Sequence, residues 1–112
     1  MLPDHIVERE DRKTLSLLAF ALNKAGIPDY AWQAVMRIED LKPADDCICL
    51  FKQDGWWKVS YTERGCWRED GRFPDSHNAI KFMFSILAGD QGPYQLREDW
   101  ERDTGQQFSM VE

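Results

Sequence analysis

Apolar residues recur along this chain in two rhythms, a helical one at both ends and an alternating one in the middle. From about Asp11 to Ala25, DRKTLSLLAFALNKA sets Leu15, Leu18, Leu22 and Ala25 at three- and four-residue steps, with Ala19 and Ala21 between them. That spacing builds one apolar face and predicts a helix, which Gly26 and Pro28 stop. The charged run EREDRK at its start reads as a solvated face, and residues 1–10 read as loosely ordered. In YAWQAVMRI, Trp32, Ala34, Met36 and Ile38 alternate with Ala31, Gln33, Val35 and Arg37, which suits a strand. Its alanines suit a short helix as well. DLKPADD is then an acidic loop, broken by Pro43 and carrying Asp45 and Asp46.

The strongest local signal is CICLFKQDGWWKVSYTE. Two β-rich runs flank Asp54-Gly55, a dipeptide that tolerates the positive φ angles of a two-residue hairpin turn. The turn sets the register: Gln53 opposite Trp56, Lys52 opposite Trp57, Leu50 opposite Val59, Ile48 opposite Tyr61. Ile48, Leu50, Trp57, Val59 and Tyr61 then share a core face. Cys47, Cys49, Phe51, Trp56, Lys58, Ser60 and Thr62 share a face that is half apolar and half polar. Arg64-Gly65 reads as a turn, a bulge or part of a long strand, and Asp70-Gly71 offers a later turn that would carry the strand through Trp67.

After Phe73-Pro74, DSHNAIKFMFSILAG predicts a second helix, capped by Asp75 or Ser76 and ended by Gly89. Its apolar face, with Ala79, Ile80, Met83, Phe84, Ile86 and Leu87, is wide enough to be largely buried on a sheet. Pro93 opens a short third helix bearing Leu96 and Trp100, and residues 105–112 read as loosely held. This order predicts an α+β fold: an N-terminal helix, a small antiparallel meander of three to four strands, and a helix on one face of it.

At 112 residues a single domain is expected. Fourteen Lys and Arg against 20 Asp and Glu leave a formal charge of −6, which disfavours nucleic acid and favours a basic protein partner met through electrostatic steering. Three cysteines and a charged start without a signal peptide point to a reducing cytoplasm. No stretch is long enough to span a membrane. Cys47, Cys49 and Cys66, even with His77, lack zinc-site spacing, so free thiols and no metal are expected.

Catalytic chemistry finds little purchase. His5 lies near the start of the chain, and His77 in the first turn of a helix reads as a solvated or capping residue. Ser60 and Ser85 sit in no nucleophile elbow, and Gly65, Gly71, Gly89 and Gly92 make no phosphate loop. Glu63 is the best single acid–base candidate, and a strand-end pair with Arg64 is its simpler role. No convergent set of titratable groups points to an enzyme or a cofactor.

The order of elements, with Trp57, Val59, Tyr61, Glu63, Arg64 and Gly65 forming W-x-V-x-Y-x-E-R-G, resembles small bacterial immunity proteins of polymorphic-toxin and contact-dependent growth inhibition systems. Phe73 before a helix with Ala79, Phe82 and Leu87 extends the likeness over roughly residues 15 to 88. It implies a cytoplasmic inhibitor of one cognate toxin domain, commonly a nuclease, with the matched residues as scaffold; the oligomeric state is left open, with a monomer favoured. It also implies a strand for YAWQAV. Trp56, Trp67, Glu69, Asp70, Asp54, Asp45 and Asp46 lie off the core face and are the candidates for the partner surface. The alternative is a module whose Phe51, Trp56 and Trp67 line a pocket for a small molecule or peptide.

Overall fold

The computed structural model describes residues 3–89 and 92–108. Helix α1 runs Asp4–Lys24, strand β1 Trp32–Ala34, β2 Cys47–Gln53, β3 Trp56–Glu63 and β4 Cys66–Phe73. Helix α2 runs Ser76–Ala88, and a 3-10 turn at Pro93–Leu96 leads into α3, Arg97–Thr104. The four strands form one mixed sheet in the order β1-β2-β3-β4. Both long helices pack on one face of it.

The hairpin falls where the sequence places it. Asp54 and Gly55 take φ of 55° and 81°, and Leu50 faces Val59 while Ile48 faces Tyr61. The core face follows from that register. Leu50, Trp57 and Val59 meet Leu17, Leu18 and Leu22 of α1 and Ala79, Ile80 and Met83 of α2. Each buried side chain of this size contributes about 1.5–3 kcal/mol of transfer free energy. Asp75 caps α2 by accepting from the Asn78 backbone N–H at 2.8 Å.

Several expectations change. The helix begins at Asp4, so residues 4–10 are helical, and Glu10 and Asp11 are buried instead of solvated. YAWQAVMRI contributes only three strand residues after a 3-10 turn at Asp29–Ala31. That strand pairs parallel to β2, with Trp32 opposite Ile48, so the sheet is not a pure antiparallel meander. A parallel neighbour requires a crossover of about a dozen residues. Residues 35–46 provide it, running over the sheet's second face, where Val35, Ile38 and Leu41 cover Cys47, Cys49 and Phe51.

Arg64 and Gly65, at φ of 52° and 80°, make the second hairpin turn. Asp70-Gly71 is therefore no turn. The ladder shifts between Val59 and Ser60, where Gly71 and Glu69 are the partners and Asp70 bulges out. The C-terminal segment docks more firmly than its composition suggests. Trp100 is fully buried, its indole N–H donates to Ser16 Oγ at 3.0 Å, and its ring stacks on Phe108 at 5.0 Å. His77 is half-buried in this aromatic group, bonded through Nδ1 to the Tyr94 hydroxyl and stacked on its ring. Residues 109–112 lie outside the described residues.

Candidate functional site

The crossover segment covers β2 on the second face and reaches the far end of β3, where the Thr62 hydroxyl donates to the Ala44 carbonyl at 3.0 Å. Over β3 and β4 the residues of that face follow from the register: Trp56, Lys58, Ser60 and Thr62 on β3, with Arg72, Glu69 and Trp67 beside them; Ser60 and Thr62 are buried, and the exposed part lies over β4 and the Trp56 end of β3. Trp56 is 40% and Trp67 53% exposed. Their positions along β3, Trp56 itself and Thr62 opposite Trp67, are six residues apart, about 20 Å at the usual strand rise. Trp67 leans inward and meets Phe51 edge-on at 6.0 Å.

Charged side chains fill the space between the tryptophans and are held by one another. Arg72 donates to both oxygens of Glu69 at 3.0 and 3.1 Å, and its guanidinium lies 5.8 Å from the Trp56 ring. Lys58 approaches Glu69 at 3.9 Å and donates to Gln53 at 3.1 Å. The Arg72 hydrogen bonds hold the Glu69 carboxyl below the usual carboxylate range. Asp70, on the bulge, is taken by Arg68 at 2.7 Å, and that guanidinium lies 5.1 Å from the Tyr61 ring. The middle of the strip therefore sets three cations, Lys58, Arg68 and Arg72, against two carboxylates, Glu69 and Asp70, and is not acidic.

Free negative charge sits at the two ends. Asp54 is exposed at the tip of the first hairpin. At the other end, Asp45 accepts from the Arg64 backbone N–H at 3.0 Å and Asp46 from the Tyr61 hydroxyl at 2.8 Å. The second bond keeps the Tyr61 hydroxyl protonated above its usual range. Both donors are neutral, so Asp45 and Asp46 pin the acidic loop to β3 and the β3–β4 turn without forming an ion pair through these bonds. Glu63 is exposed at that end, and it forms no ion pair with Arg64 among the described residues.

The seven predicted surface residues thus divide into three sets. Trp56, Trp67 and Glu69 share one strip, Asp70 stands on the strand edge beside it, and Asp54 and Asp45-Asp46 mark its ends. Of the scaffold residues, Trp57 and Val59 are buried and Tyr61 and Phe73 half-buried, while Glu63, Arg64 and Gly65 make the exposed turn. Phe51 is 3% exposed beneath Trp67 and the crossover, so it is a floor for the strip and no free wall of a pocket. Lys58 falls on the face that the first hairpin's register gives it, whereas Arg68 and Arg72 were not anticipated, because their place depends on the second turn and the bulge. Tyr30, 82% exposed, is a further aromatic that alternation does not single out.

The thiols are unlike one another. Cys47 and Cys49 are buried with Sγ atoms 3.9 Å apart, and burial, with Cys47 alongside, pushes the Cys49 thiol up to about 12. Cys66 is exposed at the start of β4. Among the described residues no group of three His, Cys, Asp or Glu side chains is placed to hold a metal, and no helix is long and apolar enough to cross a membrane. No protein-family model matches the chain, and no curated protein or solved structure does either.

Proposed function

We propose that this chain is an immunity protein, a cytoplasmic stoichiometric inhibitor that binds one basic toxin domain, of nuclease type, and covers its catalytic cleft. The observation that carries the proposal is the strip itself: two tryptophans, 40% and 53% exposed, on the part of the sheet face that the crossover leaves least covered. Half-exposed indoles on a rigid strand pair are the residues that dominate protein interfaces once a partner desolvates them. The Arg72–Glu69–Lys58 cluster fixes the rotamers between them, which lowers the ordering cost of association. Asp54 at one end, and Asp45, Asp46 and Glu63 at the other, are left to steer a basic partner. Steering by the ends replaces the uniformly acidic surface that composition alone suggests.

The test is a pull-down from native lysate with this chain as bait, at low and at high salt, read by mass spectrometry. One basic domain recovered in near-equal amount, associating more slowly as salt rises, is the expected result. Trp67→Ala is expected to weaken that association at least tenfold, the loss of a single interface anchor of about 2 kcal/mol. A bare chain, or a Trp67→Ala variant that binds as the parent does, would overturn the proposal.

A further inference from the structure

On the helix side of the sheet, the buried stripe Leu22, Leu18, Thr14 and Asp11 of α1 runs on, read backwards, into half-buried Val7 and exposed Asp4. It is apolar in its second half and acidic in its first. In place of a sealed core there is a cleft of about 290 Å³, with Asp4, Glu8 and Asp11 on the helix wall and Met36, Arg37 and Lys52 opposite. It is small for a ligand site and sized for a single extended side chain.

Asp11 is 7% exposed, and its Oδ1 accepts from Ser76 Oγ at 2.7 Å. Asp75, Ser76 and His77 at the start of α2 and Lys52 on β2 are the groups that face it. None of them forms an ion pair with it. Lys52 Nζ lies 5.9 Å from the Trp57 ring, and Arg37 lies 3.9 Å from Asp40. Glu8 is held by Arg12 at 2.9 Å. Burial accordingly keeps the Asp11 carboxyl above its usual range. A buried carboxylate with one hydroxyl donor, and with Lys52 near it but not in ion-pair contact, lacks the close partner that normally offsets its desolvation.

We propose that this cleft binds an organic cation, an alkylammonium or guanidinium group, with Asp11 as its counter-charge and Asp4 at the mouth. The group is either a lysine or arginine side chain presented by a protein or a free amine, and the recognising chemistry is the same. The site stands whether or not the tryptophan strip binds a toxin.

The experiment is an amide NMR titration of the whole chain with butylguanidinium chloride, against neutral butylurea at equal ionic strength. Saturable shifts around Val7, Asp11, Met36 and Lys52 are expected from the cation alone, with affinity at least tenfold weaker in Asp11→Asn. Asparagine keeps an acceptor for Ser76, so the fold persists, and a thermal melt checks that it does. Asp4→Asn, at an exposed position, is expected to weaken binding about threefold. Shifts that do not saturate, that butylurea reproduces, or that survive Asp11→Asn unchanged overturn the proposal. Given a site, a blocked Gly-Arg-Gly peptide binding more tightly than spermidine assigns the cation to a protein side chain, and the reverse order assigns it to a free amine.

Discussion

Gly71 is the position where a single methyl group distinguishes a packing requirement from a turn requirement. Its φ is not in the left-handed region, so no backbone strain attends a substitution there. A Cβ would instead stand 3.0 Å from Phe82 Cε2 and 3.1 and 3.2 Å from Cε2 and Cζ of Phe73. Carbon pairs prefer roughly 3.5–4.0 Å, so both rings would have to retreat by about 0.5 Å. Those rings already contact each other at 5.3 Å, between β4 and α2, and neither is free to move alone. Overpacking of this kind costs about 1–3 kcal/mol, while the stiffer unfolded chain returns about 0.4–1 kcal/mol. Gly71→Ala is therefore expected to destabilise by about 0.5–2 kcal/mol, a fall of a few degrees in Tm for a domain of this size. The assay is urea unfolding of Gly71→Ala, Phe82→Leu and the double variant. A coupling of at least about 0.5 kcal/mol in the cycle is expected, because leucine vacates the space that the methyl group needs. A Gly71→Ala protein as stable as the parent, or an additive cycle, would refute the packing argument.

Three other outcomes follow from the same structure. A thiol reagent at neutral pH is expected to label one cysteine, Cys66, in the native chain and all three after denaturation; rapid native labelling of Cys49 would contradict the burial that holds its thiol neutral. Asp11 has its folded carboxyl raised above the unfolded value of 3.8, so the protein loses stability as pH rises from that value through the folded one. Asp11→Asn should then be more stable than the parent at pH 7 and no different at pH 3, as read by urea midpoints; a variant that is weaker at pH 7 would reverse the sign. Trp100→Ala should cost about 3–5 kcal/mol in thermal melts, since it removes a fully buried ring together with the Ser16 bond and the stack on Phe108; a loss below 1 kcal/mol would mean that the C-terminal segment is dispensable.

What the sequence made legible, and what it hid, has a physical pattern. Asp-Gly between alternating runs specifies its turn locally, so the first hairpin and its register could be read without the rest of the chain. The second turn places Arg64 at a positive φ, which no arginine advertises, and the bulge at Asp70 then moves the pairing by one residue. The exposure of Trp56 was readable from alternation. The pairing of Arg72 with Glu69 was not, because it depends on that bulge. Strand β1 is three residues long and joins in parallel through a crossover whose apolar residues, Val35, Ile38 and Leu41, recur at three-residue steps over too short a stretch to specify an element. The first two turns of α1 were hidden because Asp4, Glu8, Glu10 and Asp11 look solvated by type, while burial is set by the helix's position on the sheet. Trp100 and Phe108 find each other across a sequence with almost no apolar pattern, a contact made by tertiary packing alone.

The most direct test of the proposed function is a stoichiometric inhibition titration of the domain recovered by pull-down, with its catalytic activity as the readout. The account predicts that activity falls linearly to zero at one equivalent of this chain. It also predicts that the Trp56→Ala, Trp67→Ala double variant, still folded, needs at least a hundredfold more. Undiminished activity at a large excess of the chain, or equal inhibition by the double variant, would contradict it.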